Sequence, residues 1–194
     1  LRDAIALFAA AGYELNGTTL RERASGKPFA FEIMVASRDE ERLALAFSSN
    51  LARAGIEARI RLLDAVQYDQ RRLSFDFDMI ENRWEESLSP GNEQSLYWGS
   101  AAAGEQGSRN YMGVRSPAVD AMIAALLLAR ERVDFVAAVR ALDRLLISGC
   151  YVVPLFYLPQ QWVARWATIA HPARTSLFGY LPETWWHEPK RTLQ

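Results

Sequence analysis

The sequence predicts an α/β fold, in which helices pack on a mixed β-sheet. Apolar residues alternate with polar ones over residues 29–36 and again over 56–62, which predicts two strands. Between them, residues 39–54 carry apolar side chains at helical spacing, and Gly55 supplies a stop. A strand, a helix and a strand with short joints form a βαβ unit, so the two strands should be parallel.

A third strand is predicted over residues 75–81, after a short helix at about 64–73. Phe75, Phe77 and Met79 should point to one face, and Asp76 and Asp78 to the other. The three strands should therefore share one sheet. Asp76 and Asp78 could also act as paired acids, although a solvated strand face is the commoner meaning of such alternation.

The two ends of the chain are unusual. Leu1, Ile5 and Phe8 already share a helical face at the first residue, and no capping residue precedes them. This pattern is typical of a piece cut from a longer protein. At the other end, the tail over residues 172–194 is rich in proline and aromatics but shows no period.

The second half of the chain predicts two helices and one strand. Ser116 and Pro117 form a cap and a first-turn proline, which starts a helix over 117–131, and a second helix covers 134–148. Both helices should pack on the sheet. Residues 151–157 are apolar and predict a strand that is an edge strand, or is bulged at Pro154, because proline cannot donate to a ladder.

Composition excludes several classes of function. The chain has 194 residues, with 22 basic and 23 acidic side chains, so no strong field favours nucleic acid or an anionic membrane. No apolar run approaches the roughly 18 residues that a membrane-spanning helix requires. Cys150 is alone, which excludes an intrachain disulfide and a multi-cysteine metal site within this chain. Its apolar neighbours favour a buried, inert thiol.

After Trp84 the chain loses its periodicity for about 27 residues, and loops of such length are usually functional or disordered. Trp84, Tyr97, Trp98 and Tyr111 argue against disorder, because disordered segments are poor in large aromatics. An aromatic, polar, glycine-containing loop at the end of a strand suits a pocket for a small molecule or a peptide. The alternative is a loop that folds over the core with its aromatics as anchors.

Candidates for catalysis are weak. Glu85 and Glu86 adjoin Trp84, as the acid of a glycosidase often adjoins an aromatic, but adjacent side chains diverge. Cys150 with His171 or His187 would suggest a thiol hydrolase, yet the histidines have no ligand-type spacing. No nucleophile elbow, phosphate loop or dinucleotide fingerprint is present. We therefore predict no enzyme activity, no catalytic residue, no metal site and no cofactor, and keep a hydrolase or glycosidase using Glu85 or Glu86 as the alternative.

Several stretches occur in a characteristic order: ALFAAAGYELNG, LARAGIEARIRLLD, FDFDMIENRW, RNYMGVRSPAVDAMI and YVVPLFY. In this order and spacing, they resemble the C-terminal half of family 5 extracellular solute-binding proteins, the peptide- and nickel-class receptors of bacterial ABC importers. The segment NRWEESLSPGNEQ and the later PETWW look most like the branch associated with oligopeptide and microcin C uptake.

The resemblance implies one lobe of a two-lobed, type II-like periplasmic binding protein that closes on its ligand. Residues 1–171 would form the C-terminal, ligand-binding lobe, and 172–194 would return toward the missing N-terminal lobe. The implied partners are a peptide or peptide-like small molecule and the permease subunits of an ABC transporter, with no nucleic acid and no membrane span. The implied location is the periplasm, reached with a signal peptide outside this sequence. A ligand-sensing module on a receptor is a third possibility.

The resemblance also implies where ligand contacts lie, because the family places them just after the Trp that matches Trp84. Some members carry an acid three residues later, which meets a peptide ammonium; here that position is Ser87, so Glu85 or Glu86 would have to replace it. Arg109 and Asn110 are candidates for carboxylate or backbone contacts, since a forked guanidinium suits a carboxylate. A loop-anchoring role is equally open for Arg109. The candidate ligand-binding residues are Asn82, Arg83, Trp84, Glu85, Glu86, Ser87, Trp98, Arg109, Asn110 and Tyr111.

Overall fold

The computed structural model describes residues 1–84, 89–157 and 160–189. These residues form two compact units, Leu1–Val152 and Val153–Gln194. The boundary at residue 171, between a ligand-binding lobe and a returning tail, stays a prediction.

The first unit is built around a three-stranded parallel sheet. Its strands are β3 (Ala30–Val35), β4 (Glu57–Leu62) and β5 (Met79–Ile80), in the order β4-β3-β5. Ile33 of the central strand lies opposite Ile60 of β4 and Met79 of β5. The predicted βαβ unit and the α/β class are confirmed. Antiparallel pairing occurs in separate hairpins, one of which is β1 (Tyr13–Asn16) with β2 (Thr19–Glu22).

The helices are α1 (Arg2–Ala10), α2 (Arg38–Ala52), α3 (Ala65–Leu73), α4 (Glu93–Trp98), α5 (Pro117–Leu128) and α6 (Arg132–Ser148). All except α4 were predicted. Side-chain caps explain where three of them begin. Ser37 accepts from the Glu40 N–H, Asp64 from the N–H groups of Val66 and Gln67, and Ser116 from the Val119 N–H.

The third strand is much shorter than predicted. Residues 75–78 do not pair as a strand, because Phe75 has a left-handed φ of 58° and turns the chain after α3. Asp78 replaces the missing ladder bond with its side chain, which accepts from the Glu32 N–H at 2.9 Å. Residues 75–78 therefore alternate in sequence as a strand would, but do not form one.

Two helices pack differently from the prediction. The helix α2 lies on the sheet, where Ile33, Val35 and Ala44 are buried together. By contrast, α5 and α6 pack mainly on each other and form a separate core instead of covering the sheet. That core consists of Val114, Val119, Ile123, Leu126, Ala138 and Leu142.

The segment after residue 88 is more regular than predicted. Helix α4 and a 3₁₀ helix over Ser100–Gly104 occupy part of the stretch that showed no periodicity. Both are too short for a helical repeat to show in the sequence. Residues 85–88 lie outside the described residues.

Residues 151–157 adopt no regular structure, so the predicted strand is wrong. Pro154 removes one donor from the segment, and no described strand pairs with it. Cys150, just before it, is exposed rather than buried and has a φ of 52°.

The second unit contains the short antiparallel pair β6 (Ile169–Ala170) and β7 (Trp186–His187), with a 3₁₀ turn at Pro182–Thr184. Trp162 and Trp166 are almost fully exposed in it. Every helix in the described parts of the chain is too short or too polar to cross a membrane.

Candidate ligand-binding site

Three of the predicted site residues lie at the carboxyl edge of the parallel sheet. Asn82, Arg83 and Trp84 follow β5 directly, beside the point where β3 ends. In open α/β sheets, ligands bind outside the carboxyl ends of the strands. We call residues 81–84 the edge segment.

Trp84 stacks on Trp98, the last residue of α4. The ring centroids are 5.6 Å apart and the ring planes differ by 21°. Both rings are half-buried, and Trp98 also packs against the core of α5 and α6. The Trp84 indole N–H is buried and has no hydrogen-bond partner among the described residues. The stack thus joins the edge of the sheet to the helical core and leaves part of each ring open to a ligand.

Arg109 is exposed and lies beside an aromatic ring. Its Nη1 donates to the Tyr97 hydroxyl at 3.3 Å, and its guanidinium carbon is 5.9 Å from the centre of the Tyr97 ring. Among the described residues, no acidic side chain forms an ion pair with it. The contacts hold the side chain in place while its charge remains available.

Asn110 bonds to the backbone of its own loop. Its side chain is fully buried. Its amide nitrogen donates to the carbonyls of Gly99 (2.9 Å) and Val114 (3.0 Å), and its oxygen accepts from the Val114 N–H at 2.9 Å. The amide is therefore used inside the loop. Asn110 connects Gly99, which follows α4, to Val114, which precedes α5.

Tyr111, the neighbour of Asn110, is held by α3. Its hydroxyl accepts from Arg72 Nη1 at 2.9 Å, and the Arg72 guanidinium carbon lies 5.5 Å from the centre of its ring. Phe75 packs on the same ring, with centroids 6.5 Å apart. We call residues 109–111 the loop segment.

Sequence reasoning missed a titratable cluster at the same edge. The Tyr68 hydroxyl donates to the Glu81 carbonyl at 3.0 Å, and burial raises the pKa of Tyr68 to about 12. Burial and the nearby Glu40 raise the pKa of the Glu81 carboxyl. Glu40 itself accepts from the Ala36 N–H at 2.7 Å. The spacing of Tyr68 and Arg72, four apart on one helix, was the available signal.

Glu85, Glu86 and Ser87 lie outside the described residues, so the identity of an ammonium-binding acid stays a prediction. Within the described part, no three His, Cys, Asp or Glu side chains are grouped to hold a metal ion.

A concavity of about 500 Å³ lies beside the first half of β3 and residues 75–78. Its lining includes none of the described candidate residues. Arg71, its central charge, is already paired with Glu32 at 3.0 Å and Asp76 at 2.9 Å. The carboxyl edge is therefore the better candidate for a ligand.

Comparison with known proteins decides the family. Residues 1–106 match the family described as bacterial extracellular solute-binding proteins, family 5 middle. The chain belongs to this family. Its resemblance to family 5 proteins is thereby confirmed over more than half of its length.

Several relatives are close in sequence. A putative binding protein of Brucella suis is 62% identical over 84% of the chain. Two proteins of Agrobacterium fabrum each align with 96% of it: a probable peptide-binding protein, YejA, at 43% identity, and a peptidoglycan-binding protein, YepA, at 46%. The chain spans 26% of the length of the first relative and 30% of the other two.

Solved structures share the fold at low sequence identity. The oligopeptide-binding protein AppA of Bacillus subtilis, solved with a nonapeptide, matches 96% of this chain with a TM-score of 0.75 and 17% identity, over 37% of its own length. A periplasmic oligopeptide-binding protein of Thermotoga maritima, solved with mannohexaose, matches 81% of this chain and 30% of its own, with a TM-score of 0.71 and 19% identity. The chain therefore has the fold of part of a periplasmic binding protein.

Proposed function

We propose that this chain is the ligand-binding lobe of a periplasmic binding protein that delivers oligopeptides or peptide-like solutes to an ABC importer. The observation that carries the proposal is the Trp84–Trp98 stack at the carboxyl edge of the sheet. Flat aromatic faces make large contacts and lose little side-chain entropy, so they suit ligands of varied side chains.

Charges near the stack suit the two ends of a peptide. Arg109 carries an exposed guanidinium without an acidic partner among the described residues, and a forked guanidinium binds a carboxylate with two parallel hydrogen bonds. Glu81, together with Glu85 or Glu86, is our candidate for a peptide ammonium. Asn82 and Arg83 complete the proposed ligand contacts, whereas Asn110 and Tyr111 hold the loop that carries Arg109.

The names of relatives favour the same ligand class. One Agrobacterium relative is a probable peptide-binding protein and the other a peptidoglycan-binding protein. Peptidoglycan contains short peptides with several carboxylates, so its fragments form a second candidate ligand for the same site. The family consists of binding proteins, and we propose no catalytic role for Glu85 or Glu86. The periplasm, the permease and an N-terminal lobe belong to the proposal as location and partners.

Calorimetry on the full-length protein tests the proposal. The probes are trialanine with free ends, its N-acetylated and C-amidated forms, the murein tripeptide and mannohexaose. We expect free trialanine or the murein tripeptide to bind, and C-amidation to weaken binding at least about tenfold, since hot-spot contacts of this kind are worth over 1 kcal/mol.

Arg109→Gln should remove the penalty for amidation, because the guanidinium that reads the carboxylate is then gone. Arg53→Gln, at an exposed site beyond α2, is the matched control and should leave the penalty intact. Binding of mannohexaose with no binding of any peptide would overturn the peptide proposal.

A further inference from the structure

Helix α3 carries two side chains that reach the two segments of the candidate site. Tyr68 donates to the backbone carbonyl of Glu81 in the edge segment at 3.0 Å. Arg72 donates to the hydroxyl of Tyr111 in the loop segment at 2.9 Å. Residues four apart lie on the same face of a helix, so one face of α3 touches both segments.

We infer that Tyr68 and Arg72 are positioning residues, which together fix the edge segment relative to the loop segment so that Trp84 and Arg109 meet one ligand. The inference rests on the proposed function, because it takes Trp84 and Arg109 as ligand contacts. Neither Tyr68 nor Arg72 needs to touch the ligand itself.

Tyr68 bonds to the chain just beyond the last residue that pairs in the sheet. Only Met79 and Ile80 of β5 pair with β3 in the described ladder, so backbone pairing no longer fixes the chain from Glu81 onward. The hydroxyl bond to the Glu81 carbonyl takes over at this point. Because Tyr68 is half-buried, water competes poorly for that bond.

Arg72 is placed for bridging. A charged side chain on a surface helix ordinarily extends into water, but only 29% of the Arg72 side chain is exposed. Its Nε is buried and has no partner in the described parts of the chain, which is an unfavourable arrangement for a cation. The rest of its guanidinium is well partnered. It donates to Asp69 at 2.8 Å and to the Tyr111 hydroxyl, and it lies over the face of the Tyr111 ring.

These contacts connect α3, the edge segment and the loop segment in a ring. From α3, the Tyr68 bond leads to the edge segment, and Trp84 of that segment stacks on Trp98. Gly99, next in the chain, accepts from Asn110 of the loop segment. Tyr111 then returns to α3 through Arg72. Breaking either link on α3 should therefore loosen both segments and reduce the fraction of molecules that are ready to bind.

The test uses the full-length protein and free-ended trialanine or the murein tripeptide, whichever binds the wild type. Tyr68→Phe and Arg72→Gln should each weaken binding about five- to tenfold, the loss expected from one hydrogen bond. Tyr13→Phe and Arg71→Gln are matched controls. Tyr13 packs against a separate core of Leu20, Ala54 and Ile56. Arg71 pairs with Glu32 and Asp76, so binding by both control variants should stay within about twofold of the wild type.

A second readout needs no ligand. In ¹⁹F NMR of fluorotryptophan-labelled protein, the Trp84 signal, assigned by its loss in Trp84→Phe, should shift or broaden in Tyr68→Phe and in Arg72→Gln. It should stay unchanged in both controls. If Arg72→Gln does not fold, Arg72→Lys replaces it, since lysine keeps the charge but loses the fork.

The results separate two failures. If the wild type binds no peptide or murein probe, the proposed function fails, and the fluorine spectra alone decide the positioning role. An unchanged Trp84 signal in both α3 variants overturns that role. So does a loss of binding in these variants that is no larger than the loss in the controls.

Discussion

Single residues at the carboxyl edge owe their chemistry to burial. The Tyr68 phenol is half-buried and donates to a backbone carbonyl, and desolvation keeps it in the neutral form that can donate. The same desolvation, with Glu40 nearby, favours the neutral form of Glu81. Arg83 acts in the opposite direction and lowers this pKa, and a cationic ligand group near Glu81 would do the same.

The raised pKa of Tyr68 predicts a specific dependence of stability on pH. Its pKa is about 12 in the folded protein and about 10 in an unfolded chain. Between these values the unfolded state loses the proton and the folded state keeps it, so the free energy of unfolding must fall as pH rises from 10 to 12.

Urea unfolding at pH 9 and at pH 11 measures this contribution. Tyr68→Phe should show a smaller drop between the two pH values than the wild type, because phenylalanine has no proton to lose. Tyr13→Phe serves as the control. An identical drop in wild type and Tyr68→Phe would contradict the assignment.

The candidate site could be predicted only in part from sequence, for reasons visible at single residues. Trp84 and Trp98 stood out because aromatics in an irregular stretch demand burial. The surroundings of Asn110 could not be predicted, because an asparagine in a loop has the same local signature whether its amide faces solvent or two buried carbonyls. Tyr68 was overlooked, since its partner is a backbone carbonyl thirteen residues away.

At the scale of elements, the sequence is informative where the determinants are local. The βαβ unit and the starts of the longer helices were predicted because periodicity and caps act within a few residues. Residues 151–157 failed as a strand, since a strand requires a partner that local pattern does not supply. The packing of α5 and α6 failed for a related reason: an apolar stripe shows that a helix is buried, and not what buries it.

Gly55 connects three elements and should not tolerate a side chain. It has a φ of 82°, and a Cβ there would lie 2.7 Å from the Leu20 nitrogen and from a Leu15 methyl. Its carbonyl also accepts from the Leu20 N–H at 2.7 Å. Gly55→Ala should lower the free energy of unfolding by at least about 2 kcal/mol, the sum of left-handed strain and displaced backbone.

Gly12→Ala separates these two causes. Gly12 has a similar φ of 91° but nothing within 4 Å of an added Cβ, so only the strain of about 1–2 kcal/mol applies. Urea unfolding of both variants in the full-length protein gives the comparison. Equal losses would show that the close approach of β2 to Gly55 is unimportant.

Replacing Cys150 with glycine should have the opposite effect on stability. It follows the end of α6 in a left-handed conformation, with φ of 52° and an exposed thiol. Glycine adopts this conformation without strain and is favoured at this position. Cys150→Gly should therefore raise the free energy of unfolding by about 0.5–1 kcal/mol.

Phe75→Gly is the informative comparison, because Phe75 has a nearly identical φ of 58°. Its ring packs on Tyr111, so relief of strain is offset by lost contact and no gain is expected. A gain at Phe75 as large as that at Cys150 would argue that the ring contact contributes nothing.

At the scale of the whole molecule, two cores of the first unit meet at the candidate site. The sheet core contains Ile33 and Val35, and the helical core contains Val119 and Leu142. The Trp84–Trp98 stack links the edge of the first to the second. The affinity for a ligand that contacts this stack should therefore depend on the relative position of both cores.

The chain alone should bind its ligand much more weakly than the full-length protein. A clamp receptor surrounds its ligand with two lobes, and each lobe supplies part of the contact free energy. The cost of immobilising the ligand is incurred once in either case. One lobe must therefore meet that whole cost with about half of the contacts.

Calorimetry of residues 1–194 and of the full-length protein with the same peptide measures the difference. We expect the isolated chain to bind in the high micromolar to millimolar range, since the loss of several kcal/mol of contacts raises Kd by orders of magnitude. Circular dichroism of the isolated chain must first show folded structure, so that weak binding reflects missing contacts. Submicromolar binding by the folded chain alone would reveal a self-contained pocket. The clamp-lobe proposal would then give way to a complete binding domain.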